Sequence, residues 1–213
     1  MKKPIILAVQ LPAPCPVTCS FCRTPHHNEG NMDQVMQSVK KTIKSHDVRE
    51  VYLTSNGETG LANNYLKIVS DLLKQGIPVA VLCATKASVI PGLSRVEISY
   101  NSFTKKSAEQ AIKKAKELNI PFTLSFIDDG TQSFSAITVS KNFNANGYLI
   151  RPLQKEGRST SQHTAVATYE TDTTVSKTFP VRAYKELTHL QGSDVICINH
   201  YGQQVAFLGN PKN

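Results

Sequence analysis

No run of eighteen or more consecutive apolar residues occurs in this chain of 213 residues, although apolar residues make up 40% of it. A helix crossing a bilayer needs about 20 predominantly apolar residues, so no transmembrane helix and no membrane partner are expected. The opening Met1-Lys2-Lys3-Pro4 with its apolar run to Val9 lacks the length and the small-residue cleavage site of a secretory leader, and it reads as a first strand. Blocks of five or six consecutive basic residues are also missing. The formal charge of +8, from 24 basic and 16 acidic residues, is spread along the chain. Such a balance favours an anionic partner such as phosphate, nucleic acid or an acidic peptide, without marking a nucleic-acid-binding arm. An even set of cysteines is lacking too. There are five, and three fall between positions 15 and 22. That arrangement is poor for a disulfide framework and good for metal, and it implies a reducing, cytoplasmic setting.

What is present is an alternation of β-branched apolar runs with amphipathic helical stretches up to about residue 150, the pattern of repeated βα units around a parallel sheet. Six strands are expected: Pro4 to Val9, Glu50 to Thr54, Pro78 to Cys83, Arg95 to Tyr100, Pro121 to Phe126 and Gly147 to Arg151. Met32, Val35, Met36, Val39 and Ile43 recur at helical spacing between the first two, and Leu61, Tyr65, Leu66, Val69, Leu72 and Leu73 do so before the third. A further helix, from about Ser107 to Leu118, carries Ala108, Ala111, Ile112, Ala115 and Leu118 on one side and its lysines elsewhere. Gly76-Ile77-Pro78 and Asn119-Ile120-Pro121 each place a residue tolerant of left-handed geometry past a helix and a proline before the next strand.

Right-handed crossovers in series roll such units into an open barrel whose strand C-termini share one mouth. The expected fold is therefore α/β, a partial (β/α)6 TIM-like barrel over residues 1–153, with a short β-rich extension over 154–213. Ser, Thr and Gly crowd the stretch from Gly157 to Lys177. The chain then shows an alternating run from Asp194 to Asn199, a His200-Tyr201-Gly202 turn and Gln204 to Leu208, which read as a hairpin that could cap the barrel or shape a substrate site.

Cys15-Pro16-Val17-Thr18-Cys19-Ser20-Phe21-Cys22 has C-x3-C-x2-C spacing, after an expected strand and before an expected helix. Four cysteines close a four-iron cluster, whereas three leave one iron able to take another ligand. Pro12, Pro14 and Pro16 pre-set an extended backbone there and reduce the entropy lost on ordering the loop. A zinc site is the alternative, as a structural element of a binding module without radical chemistry. His26 or His27 could supply its fourth ligand. Cys83 and Cys197 stand alone and read as small apolar strand residues.

With Phe21 just before the third cysteine, this segment resembles the radical S-adenosylmethionine (radical SAM) superfamily. The resemblance implies an enzyme. A [4Fe-4S] cluster on Cys15, Cys19 and Cys22 would bind S-adenosyl-L-methionine and cleave it reductively, giving a 5′-deoxyadenosyl radical that abstracts hydrogen from a substrate. It also implies site residues at the strand ends. Asn56-Gly57-Glu58-Thr59 occupies the place of a Gly-Gly-Glu-Pro-like motif that meets the methionine amino group, with Asn56 for the first glycine and Thr59 for the proline. Gly57 and Glu58 are kept; glycine admits close backbone approach and a carboxylate accepts from an amine. Asn-Gly-Glu-Thr-Gly is equally an ordinary turn sequence.

Ser99 and Asn101 at the end of the fourth strand match positions that bind the cofactor's ribose and carboxylate, and strand alternation would aim both into the barrel with Tyr100 outward. A capping or turn role is the other reading of Asn101. Ser125 at the fifth strand is a further candidate. Arg151 at the sixth could pair with the cofactor carboxylate or be a surface arginine. No catalytic residue is singled out. The tail after Arg151 holds one cysteine, which argues against a second cluster. The substrate classes left open are a small anionic molecule, a nucleotide, a peptide, or a partner enzyme activated as a glycyl radical. A flavodoxin or ferredoxin is the implied reductant.

Overall fold

The protein is described by a computed structural model covering residues 4–19, 22, 28–128, 136–152 and 195–205. Six strands run parallel in sequence order: β1 (Ile5–Leu11), β2 (Val48–Ser55), β3 (Val79–Cys83), β4 (Arg95–Ser99), β5 (Phe122–Asp128) and β6 (Gly147–Pro152). The helices α1 (Met32–Ser45), α2 (Tyr65–Lys74), α3 (Lys105–Glu117) and α4 (Ala136–Asn142) connect them. The connection from β3 to β4 holds only a 3-10 turn, Lys86–Ser88, so not every expected unit carries an α-helix. Residues 84–94 leave little room for one, and Pro91-Gly92 breaks the stretch.

The helices form where expected because their apolar stripes meet one sheet face. Val35 and Val39 of α1, Ile68, Val69 and Leu72 of α2, and Ala108, Ala111, Ile112 and Ala115 of α3 share a buried core. Their strand partners are Leu7, Val9, Leu11, Val51, Leu53, Val79, Val81, Val96, Ile98 and Leu124. Each buried Val, Leu or Ile side chain contributes about 1.5–3 kcal/mol relative to exposure. Both anticipated helix stops are left-handed, Gly76 at φ +73° and Asn119 at φ +54°. Ile77 N–H donates to Leu72 O at 3.2 Å and Ile120 N–H to Ala115 O at 2.9 Å, closing the helix ends. Asn144, at φ +52° with Ala145 donating to Ser140 O at 2.9 Å, repeats the device after α4.

The expected hairpin is present, and it joins the sheet beside β1. Strand β7 (Val195–Ile198) pairs parallel with β1, Ala8 opposite Cys197, and β8 (Gln204–Val205) pairs antiparallel with β7. It therefore extends the sheet, because β1 has an open edge and Ile196 and Ile198 continue its apolar face. The result is an α/β fold on a mostly parallel eight-stranded sheet, in the order β6-β5-β4-β3-β2-β1-β7-β8. Among the described residues no pairing joins β6 to β8. No helix among them is long and apolar enough to cross a membrane.

Candidate functional site

The cysteines stand on the loop from the C-terminal end of β1 to the start of α1. Cys15, Cys19 and Cys22 are each partly buried. Cys22 N–H donates to Cys19 O at 3.2 Å, and the Cys15 thiol donates to Val17 O at 3.4 Å. The two feet of the loop are joined by Asn28 N–H donating to Ala13 O at 2.9 Å. The exit is fixed by Asn31, whose N–H donates to His200 O at 2.8 Å and whose side chain caps α1 by accepting from Gln34 N–H at 3.1 Å. Among the described residues no three His, Cys, Asp or Glu side chains converge where one metal ion could be held. Phe21, His26 and His27 lie outside the described residues.

The end of β2 supports this loop from beside it. Asn56, wholly buried, accepts from Ala13 N–H at 2.9 Å and donates to Glu29 O at 2.7 Å. Glu58 N–H donates to Pro14 O at 2.9 Å. Gly57 is where the two segments touch: a Cβ there would lie 2.1 Å from Ala13 O and 2.5 Å from Pro14 O. Its lack of a side chain thus admits the cysteine loop. The Glu58 carboxylate, 2% exposed, accepts from Ala84 N–H at 2.9 Å, Thr85 N–H at 3.3 Å and the Ser88 hydroxyl. Burial pushes its pKa up, against the hydrogen bonds from Ser88, Ala84 and Thr85. Ser88 in turn accepts from Gly60 N–H at 2.7 Å, and its carbonyl accepts from the Tyr65 hydroxyl at 2.5 Å. Thr59 donates to Leu82 O at 2.7 Å. The side chains of Glu58 and Thr59 are therefore engaged with the β3 end and the turn after it. Nothing in Thr85-Lys86-Ala87-Ser88 marks Ser88 in the sequence.

Register places a second set of side chains on the sheet face opposite the helices. Because side chains alternate, Gln10, Thr54, Ser99 and Ser125 share that face: Gln10 pairs with Thr54 and Ser99 with Ser125. Asn101 does not continue the alternation, since β4 ends at Ser99. Its Oδ1 accepts from Phe103 N–H at 2.9 Å and Thr104 N–H at 3.0 Å, so it holds the turn into α3, and its Nδ2 donates to Ser99 Oγ at 3.4 Å. Tyr100 points into the helix-side core against Phe126 and Phe143; burial and the nearby Glu109 push its phenol up to about 12. Arg151 lies on β6 opposite Ile127, and its side chain is outside the described residues.

Unforeseen in the sequence, His200 packs beside this face. Its Nδ1 lies 2.9 Å from Gln10 Oε1, and burial lowers its pKa against the opposing pull of Glu29. Cys83 is in the core, where burial, with Glu58 and Glu97 nearby, pushes its thiol well up. Cys197 is also buried.

No family model and no curated protein matches the chain in sequence. Its fold does match solved structures, among them the radical SAM enzymes SuiB and anSMEcpe. Streptococcus suis SuiB bound to its precursor peptide SuiA gives a TM-score of 0.57 at 14% identity, over 73% of this chain and 40% of that one. A second structure of Streptococcus suis SuiB gives 0.56 at 12% identity, over 93% and 50%. Native anSMEcpe, with AdoMet and the Cp18Cys peptide bound, gives 0.55 at 11% identity, over 71% and 51%. The chain thus spans about half the length of these neighbours or less.

Proposed function

We propose that the chain is the catalytic core of a radical SAM enzyme, with the sheet curled as a partial barrel and Cys15, Cys19 and Cys22 holding a [4Fe-4S] cluster at its mouth. One observation carries this: three cysteines in C-x3-C-x2-C spacing on the loop after β1, tied to the end of β2, in a fold shared with radical SAM enzymes. The donor set suits the group. Three thiols on one partly buried loop offer three corners, and a cluster asks its cysteines to bind separate irons rather than converge on one ion. When bound, such a cluster supplies the electron that cleaves S-adenosylmethionine reductively.

The chain's own residues do the rest. Gln10, Thr54, Ser99 and Ser125 present neutral donors and acceptors on the face opposite the described helices for the cofactor's ribose and amino acid groups. Phe21 and Arg151 are assigned to the same ligand, Phe21 by its place before Cys22 and Arg151 by its place at the end of β6. Gly57, Glu58, Thr59 and Asn101 set the position of the loops that line it, through the contacts described above. A peptide is the favoured substrate class, because two neighbours were solved with peptides bound and the chain's +8 charge suits an acidic one. A flavodoxin or ferredoxin would deliver the electron.

Anaerobic reconstitution with iron and sulfide tests the reading. Brown protein with about four irons per chain is expected. Reduced protein should convert S-adenosylmethionine to 5′-deoxyadenosine and methionine, and Cys19→Ala should abolish this. A colourless protein with stoichiometric zinc, or turnover retained in Cys19→Ala, would reject it.

A further inference from the structure

The Asn56 side chain reaches both feet of the cysteine loop. Its Oδ1 accepts from Ala13 N–H at 2.9 Å, two residues before Cys15, and its Nδ2 donates to Glu29 O at 2.7 Å, seven residues after Cys22. Its own N–H donates to Leu11 O at 3.1 Å, anchoring the residue to the end of β1. The side chain is wholly buried, so both amide ends are bonded away from competing water. A glycine at this position would leave Ala13 N–H and Glu29 O without these partners. Ionised aspartate would lose the donor, and glutamine is longer by a methylene.

We infer that Asn56 is a positioning residue for the three cysteines, a buried clamp that fixes the separation of the loop's feet and thereby the spread of the thiols. The inference rests on the cluster reading above and deepens it. It assigns a task to the residue at which this chain departs from the glycine of the resembled motif. Asn56 touches no thiol in this role; it acts through Ala13 and Glu29.

The test has two arms. In metal-free protein, amide hydrogen exchange over residues 11–31 should quicken at Ala13 in Asn56→Ala and Asn56→Gly, while Asn56→Asp, which keeps the acceptor, protects Ala13 better than either. In anaerobically reconstituted protein, the rate at which a ferrous chelator removes iron should rise by about tenfold in Asn56→Ala, since two buried hydrogen bonds are lost. Ile112→Ala, a core truncation in α3, serves as the stability control. It should lower the melting temperature while leaving the iron-release rate at the wild-type value. Iron release from Asn56→Ala at the wild-type rate, or release from Ile112→Ala quickened equally at equal loss of stability, would overturn the inference and leave the cluster reading intact. Failure of the wild-type protein to take up iron would overturn both, and only that outcome reaches the reading beneath.

Discussion

Replacing Gly57 by alanine should separate the cysteine loop from the end of β2. The added Cβ would stand 2.1 Å from Ala13 O, 2.5 Å from Pro14 O and 2.7 Å from Pro14 C, and all three are backbone atoms. Carbon contacts are comfortable at about 3.5 Å, so one segment must move by about 1 Å or more. A shift of that size stretches the 2.9 Å bond from Glu58 N–H to Pro14 O past any useful length. Losing it costs about 1 kcal/mol. Overpacking adds about 1–3 kcal/mol, so the total is about 2–4 kcal/mol. For a domain of this size each kcal/mol lowers the melting temperature by about 2–4 °C, which gives a fall of roughly 4–16 °C. Circular dichroism melts of metal-free protein measure it without reference to any cluster. Gly76→Ala is the companion variant, because Gly76 has a positive φ but open space around it. Its cost is backbone strain alone, about 1 kcal/mol. A Gly57→Ala protein melting with the wild type, or above Gly76→Ala, would refute the claim that this glycine exists to admit the cysteine loop.

Ser88→Ala should destabilise the fold by about 2–3 kcal/mol in denaturant titration, because it strands Gly60 N–H and removes a donor from a buried carboxylate. Wild-type stability would have to be matched to discard the Glu58 network. Burial holds the His200 imidazole below its ordinary 6.5 in the fold, against Glu29. In that window the unfolded chain takes up a proton that the folded one resists, so the stabilisation is present above pH 6.5 and is lost as pH falls through the folded value. Comparing denaturation midpoints at neutral and mildly acidic pH, His200→Gln should lose less stability on acidification than wild type; an equal loss would show that His200 does not carry the effect. Iodoacetamide should modify Cys15, Cys19 and Cys22 in folded metal-free protein and leave Cys83 untouched until unfolding, since burial raises that thiol far from its reactive form. Mass spectrometry of the labelled protein would contradict this if Cys83 reacted as fast as the loop cysteines.

Local patterns made the strands readable, since each lies near its expected place. The Pro4 to Val9 run is β1, Ile5–Leu11, and Pro121 to Phe126 is β5, Phe122–Asp128. Two helix stops were legible in Gly76 and Asn119 because a left-handed residue before a proline has few other uses. The seat of the hairpin was not. A short alternating strand reads the same whether it caps a barrel or joins an edge, and only the pairing of Ala8 with Cys197 decides it. The site divides in the same way. Spacing singles out the cysteines as candidates, but what Asn56, Glu58 and Ser88 do depends on contacts across 26 to 43 residues of chain, which no local signal encodes.

The polarity of the sheet face opposite the described helices runs along the strands, and its direction bears on where a ligand can lie. Toward the strand N-termini the charges satisfy one another. Arg95 grips Glu50 through two bonds of 3.1 and 2.8 Å, and Tyr52 donates to Glu97 at 2.9 Å. Inserting a ligand there would strip a bidentate ion pair and leave a charge uncompensated on a partly buried surface, a loss larger than a neutral hydrogen bond returns. Toward the C-termini the same face offers hydroxyl and amide groups from Gln10, Thr54, Ser99 and Ser125. A hydroxyl can turn from one partner to another at little cost, since it both donates and accepts. The sheet's own electrostatics therefore close its lower half to a polar ligand and leave the upper half adaptable, on the side where the loop after β1 carries the three cysteines.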